Sequence, residues 1–360
     1  MILHISDQLI KKRNKQENFN DFILNIMLAY KEGKHVIIIS PISIRKLIFD
    51  KKIGEYTKQL LNSYNSHNKA SLSLLQHFGV IIKIIPKNFK EKVYSKISTK
   101  VEIRQIHMDK FVDTVNIQST ILLGENTNDS KVYNLIAEYY RLKNNLNFLK
   151  VSCREQMGGG DTTAKQYKHI YNSGKEFCLC ILDSDKKLPQ NDYGETAKKV
   201  KSFHHSQINF NYKCQYFILN KLELENYIPE KFYIKNFECV ETNRIKYNFQ
   251  KINKLRDLNY NATNYLDFKK GLKSFKQEDN EAINKFWYNV LSKSKILWIP
   301  DDSNHYIKGY GDKILDGFIE CEHSEIFEQV DNDSYIKREW LELGKSISSF
   351  IFGSIIRRAI

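Results

Sequence analysis

Apolar residues along the chain fall into short unbroken runs and helical stripes. The run 36–39 stops at Ser40 and Pro41, and Val80–Ile85 stops at Pro86. Runs of this length, closed by breakers, predict strands buried on both faces. Phe19–Lys31 carries apolar residues at helical spacing and predicts an amphipathic helix. Together these define an N-terminal α/β region, 1–116, without a catalytic motif. From 117 to 232 strand and helix alternate. Residues 120–123 predict a strand, and Val132, Leu135, Ile136, Tyr139 and Tyr140 mark one face of the helix after it. A second strand is expected at 148–151, then a helix from Thr163 that ends at Gly174. The nearly all-apolar stretch 177–182 predicts a third strand, 195–203 a short polar helix and 216–219 a fourth strand. This order implies an α/β fold, a parallel sheet with helices on both faces. The remainder, 233–360, reads mainly helical, with 280–291 and 336–343 as examples. Residues 347–356 read as a packed C-terminal helix with Arg357 and Arg358 near its end.

Charge adds the first functional constraint. The chain carries a formal net charge of +14, which favours polyanionic partners, nucleic acid before others. Its richness in Lys, Asn and Ile accounts for part of that excess. The six cysteines, at 153, 178, 180, 214, 239 and 321, form no CxxC pair and no zinc-spaced cluster with histidine. A structural zinc and a disulfide framework are therefore not expected, and a reducing cytoplasm fits best. Cys178 and Cys180 read as small buried hydrophobes on a strand. No signal peptide is evident, and 347–356 is too short to span a bilayer, so no membrane partner is expected.

The acids matter by position. Ligands of open parallel sheets bind beyond the carboxyl ends of the strands. Glu125 follows 120–123, Asp183 and Asp185 follow 177–182, and Glu223 and Glu225 follow 216–219. If the extended conformation persists through Asp183-Ser184-Asp185, both carboxylates point the same way. Their repulsion is relieved by a cation, and Mg²⁺ or Mn²⁺ prefers such oxygen ligands. These ions support phosphodiester hydrolysis. Each acid also has an ordinary reading. An Asp-x-Asp is commonly a solvated turn, Asp129 reads equally as the N-cap of a helix beginning at Ser130, and Glu223 and Glu225 read as exposed acids before a helix.

Four segments carry a family resemblance: Ile121-Leu-Leu-Gly-Glu-Asn-Thr-Asn-Asp129, the Gly158-Gly159-Gly160 turn, Ile181-Leu-Asp-Ser-Asp185 and Leu224-Glu-Asn-Tyr227. Over about a third of the chain they resemble the Toprim domain, particularly that of OLD-family nucleases and of Toprim effectors in anti-phage defence. The first motif departs from the family's Glu-Gly order, since here Gly124 precedes Glu125 and the next acid is Asp129. The resemblance implies a Toprim-like catalytic domain at 117–232 and a metal site of Glu125, Asp183, Asp185 and Glu225, with Asp129 and Glu223 as further candidates. It also implies a downstream lysine that steadies the charged transition state, for which Lys308 and Lys313 are the candidates. It implies an Mg²⁺- or Mn²⁺-dependent endonuclease of DNA or RNA, with tRNA among the targets, acting as an anti-phage effector. No G-x-x-x-x-G-K-[ST] phosphate loop is present, so ATP dependence would come from a separate ATPase partner. The flanking regions are expected to serve substrate choice, homodimerisation or inhibition. Two rivals stand beside this reading. One is nucleotidyl transfer of the primase or topoisomerase kind. The other is a non-catalytic nucleic-acid-binding or sensor subunit.

Overall fold

The computed structural model describes residues 1–67, 72–96, 101–208, 210–229, 231–233, 242–276, 278, 280–293 and 304–355. By its internal contacts the chain forms two units. The first comprises Met1–Cys180, Ser206–Tyr216 and Leu341–Ile360, the second Ile181–His205 and Phe217–Trp340.

The first unit contains a five-stranded sheet built from β1 (Ile2–Ile5), β2 (Val36–Ile38), β3 (Val80–Ile85), β4 (Lys92–Lys96) and β5 (Val101–His107), in the order β2-β1-β3-β5-β4. All neighbours run parallel except the edge pair β4–β5. The predicted strands 36–39 and Val80–Ile85 are therefore present, and both are buried. The helix Phe19–Lys31 buries Phe19, Phe22, Ile23, Ile26, Met27 and Ala29, the stripe anticipated from its spacing. Each large side chain so buried contributes about 1.5–3 kcal/mol.

The second sheet has the order β10-β9-β6-β8, from β6 (Thr120–Gly124), β8 (Cys153–Met157), β9 (Cys178–Leu182) and β10 (Cys214–Ile218). β6 pairs in parallel with β8 and with β9. The fold class is accordingly α/β, with parallel sheets flanked by helices. Cys178 and Cys180 are wholly buried in β9. The expected face of the helix Thr127–Lys143, with Val132, Leu135, Ile136, Tyr139 and Tyr140, is buried. The helix Thr163–Ser173 ends at Gly174 with φ 65°.

Two elements differ from expectation. The sheet strand after the first helix is Cys153–Met157, not 148–151. Leu149–Val151, here β7, instead pairs antiparallel with β13 (Phe352–Ser354). The apolar signal lay in β7, whereas β8 is a sheet edge with exposed Arg154, Glu155 and Met157 and little hydrophobic pattern. The C-terminal helix stops at Ile351 and the chain continues as β13. A Cβ at Gly353 would meet Gly33 O at 2.0 Å, so close backbone approach replaces helix there. Arg357 and Arg358, like Cys239, lie outside the described residues.

The second unit holds the helices Thr242–Asn259, Glu281–Ser292, Ile314–Ile319 and His323–Asn332. It adds a two-stranded antiparallel ribbon that the pattern did not announce, β11 (Gly271–Lys273) with β12 (His305–Lys308). An aromatic chain runs through its core, with ring centroids of Phe232 and Phe318 at 5.1 Å and of Phe318 and Trp340 at 6.3 Å. Among the described residues no helix is long and apolar enough to cross a membrane.

Candidate functional site

Two loops of the second unit carry its acids. The first is Asp183-Ser184-Asp185. Ser184 is buried and its Oγ donates to Lys221 O at 2.6 Å. Asp185 adopts left-handed backbone, φ 52°, which aspartate tolerates better than most residues. The loop is closed by Asp185 N–H donating to Leu222 O at 3.0 Å and Gly194 N–H to Ser184 O at 2.9 Å. The expectation of two carboxylates aligned by an extended segment is thus corrected. Extension ends at Asp185 because its amide ties the loop to Leu222. A Cβ at Gly194 would meet Asp185 Oδ2 at 2.0 Å, so the carboxylate keeps its place only against glycine.

The second loop begins at Glu223 and passes through a tight turn, Leu224–Tyr227. Its backbone is fixed from several sides. Glu223 N–H donates to Asn226 Oδ1 at 3.1 Å, and Asn226 Nδ2 donates to Thr263 O at 3.0 Å and Leu266 O at 2.9 Å. Lys221 Nζ donates to Asn226 O at 3.0 Å and forms a buried ion pair with Glu339 at 2.6 Å. Tyr233 OH donates to Glu225 O at 2.9 Å, and Trp340 Nε1 to Tyr227 O at 2.7 Å. Glu225 is consequently held at 3% exposure, so the reading of a solvated acid before a helix does not describe it.

Sequence reasoning missed Lys269. Its Nζ stands 3.1 Å from Glu225 Oε1 and 3.3 Å from Glu223 Oε2. The neighbouring strand ends seat its backbone: Gly311 N–H donates to Lys269 O at 3.0 Å and Tyr310 N–H to Phe268 O at 2.9 Å. Burial pulls the ammonium's pKa down, but Glu225, Glu223 and Asp183 outweigh it and hold the group above the ordinary lysine value. Burial pushes the Glu223 carboxyl up to about 7; Lys269 opposes the rise, while Glu225 and Asp267 add to it by repulsion. Asp185 also feels the Lys269 charge. Four carboxylates and one ammonium therefore share one electrostatic neighbourhood.

Four further candidates were named from the sequence: Glu125, Asp129, Lys308 and Lys313. Glu125 and Asp129 belong to the first unit, after β6. Gly158 N–H donates to Gly124 O at 2.8 Å and Gly159 N–H to Glu125 O at 3.0 Å. Gly159 and Gly160 have φ 75° and 59°, so the glycine triplet is the expected tight turn, and it spends amides on the Glu125 turn. Asp129 is buried, and its Oδ2 accepts the Asn126 N–H at 2.8 Å. The helix begins at Thr127, not at Ser130, so Asp129 closes a capping box from the first turn rather than serving as N-cap. Lys308 ends β12 and Lys313 precedes the helix Ile314–Ile319; both are exposed. The lysine that pairs with Glu223 and Glu225 is Lys269.

Asp183, Asp185, Glu223 and Glu225 each offer carboxylate oxygen, the ligand type that a hard divalent cation prefers. The ammonium of Lys269 marks where positive charge is stabilised among them. Among the described residues no three His, Cys, Asp or Glu side chains stand close enough together to enclose an ion, and Lys269 supplies countercharge in its stead. Comparison of the chain with protein-family models, with curated proteins and with solved structures finds no match.

Proposed function

We propose that the chain is an Mg²⁺- or Mn²⁺-dependent endonuclease with a Toprim-like catalytic domain of the OLD type, acting as a cytoplasmic anti-phage effector. One observation carries the reading: in the second unit Glu223 and Glu225 pair with Lys269, whose charge Asp183 and Asp185 also feel. When bound by these carboxylates, a divalent cation would polarise a water and neutralise charge on the leaving oxygen. Lys269 balances Glu223 and Glu225 beforehand. With the carboxylates engaged otherwise, its ammonium is available to a phosphate oxygen, where it stabilises developing charge. That role suits Lys269 better than the exposed Lys308 or Lys313. Glu125 and Asp129 enter the proposal from the sequence resemblance alone.

A specific observation favours a second reading. Lys269 already neutralises much of the cluster, as a nucleic-acid-binding or sensor subunit without chemistry would require. Incubating the protein with DNA, tRNA and rRNA in Mg²⁺ or Mn²⁺ separates the two. Cleavage is expected, abolished by chelator and by the double variant Asp183→Ala, Asp185→Ala with unchanged unfolding. Undiminished cleavage by that variant, or none by the native chain on any substrate, overturns the nuclease reading.

A further inference from the structure

The loop that begins at Asp183 closes at Gly194, and the residue before the closure is Tyr193. Lys186 Nζ lies 5.2 Å and Lys201 Nζ 4.9 Å from the centroid of the Tyr193 ring. Gly194 touches the Asp185 carboxylate, so this pair of cations is anchored one residue from the acidic cluster, within the same unit. The helix Glu195–Ser206 turns Thr196, Ala197, Val200 and His204 inward, which leaves Lys199 and Lys201 exposed. The local acids are already committed. Asp183 and Asp185 belong to the cluster, while Asp192 and Glu195 both lie near Lys198, at 3.7 and 3.5 Å. Lys186, Lys187, Lys199 and Lys201 remain as a group of ammoniums with no carboxylate within ion-pair distance among the described residues.

An ammonium resting on a partly exposed ring such as Tyr193 is held by about 0.5–1 kcal/mol. It surrenders readily to a phosphate, and the ring limits where it waits. We propose that Lys186 and Lys201, positioned by Tyr193, bind the phosphates of a nucleic-acid strand that flank the one presented to the carboxylate cluster. This assignment rests on the nuclease reading for its word "flank" but not for the binding itself. Lys186, Lys201 and Tyr193 are positioning residues.

The test is binding of labelled single-stranded DNA and RNA oligonucleotides in chelator, by fluorescence anisotropy over a salt series. Each phosphate contact to a single strand contributes a slope of about −0.7 in log K against log salt. The double variant Lys186→Gln, Lys201→Gln is expected to lose about 1.4 from the slope and to bind about tenfold or more weakly at low salt. Lys186→Arg with Lys201→Arg should keep both, which separates lost charge from lost fold. Tyr193→Phe should keep the native slope and Tyr193→Ala should weaken binding. The arm that binds identifies DNA or RNA as the source of the phosphates. An unchanged slope and affinity in the glutamine variant, or no salt-dependent binding by the native chain, overturns the proposal. A chain that binds through these lysines yet cuts nothing overturns only the nuclease reading. A chain that cuts but shows no change in the glutamine variant overturns only this one.

Discussion

Lys269 is the most informative position to perturb, because it separates a cation seat from an ordinary ion-pair network. Lys269→Met keeps the aliphatic stem and removes the charge. Glu225 is 3% exposed, while the Lys269 and Glu223 side chains are 24% and 17% exposed. Removing one partner of a fully buried pair costs about 3–5 kcal/mol, since it leaves the other charge uncompensated. Partial solvation of Lys269 and Glu223 reduces that to about 2–3 kcal/mol. The assay is urea unfolding in chelator, followed by the fluorescence of Trp340, which is buried in the same unit. A cation that binds only the folded state adds about 2.7 kcal/mol at a hundredfold excess over its Kd. Mg²⁺ or Mn²⁺ should therefore restore most of what Lys269→Met loses. It should also stabilise the variant more than the native protein, in which the ammonium competes for the same carboxylates. The reasoning fails if the variant is as stable as the native chain in chelator. It fails equally if neither ion distinguishes the two proteins.

Two further outcomes follow from other contacts. Gly194→Ala places a methyl 2.0 Å from the present Asp185 Oδ2 and must displace that carboxylate. Single-turnover cleavage should fall at least about tenfold while unfolding changes by no more than about 1–2 kcal/mol, as for most loop substitutions; full activity would show that the position of Asp185 is immaterial. Lys213 is buried, with Nζ donating to Lys110 O at 3.1 Å and Lys175 O at 2.9 Å. Burial, aided by Lys110, lowers its pKa from 10.5 to about 8. Below pH 8 the folded state bears the cost of the buried charge. Between about 8 and 10.5 the folded chain has released a proton that the unfolded chain keeps, so stability gains up to about 3 kcal/mol as pH rises. Lys213→Met should flatten that rise in unfolding measured on either side of the window, and an unchanged slope would contradict the assignment.

Much of the α/β frame was readable because its strands are buried on both faces. Val80–Ile85 has an apolar run of the right length and a proline stop, and it is a strand over those same residues. β8 was not readable, since an edge strand such as Cys153–Met157 has no buried face to write an alternation into the sequence. Asp183, Asp185, Glu223 and Glu225 were legible as acids at strand exits, whereas Glu125, expected with them, belongs to the first unit. The left-handed turn at Asp185 was not legible, because it depends on the amide partner at Leu222, far along the chain. Lys269 carries no local mark among 56 basic residues. The candidates Lys308 and Lys313 lie in the stretch 306–314, which also holds Gly309 and Gly311. Backbone of that stretch seats Lys269, whose own segment is a separate stretch of sequence.

The closure of the first unit by the end of the chain has a bearing on how the protein is made. Thr120 Oγ1 reaches Phe350 O across 230 residues, Gly79 N–H reaches Ser349 Oγ across 270, and Ser354 Oγ reaches His35 O across 319. Contacts so distant in sequence form slowly and cannot form while the ribosome still holds the later partner. The first unit therefore reaches its finished state only after Ser354 has emerged, although its residues up to Cys180 are synthesised well before that.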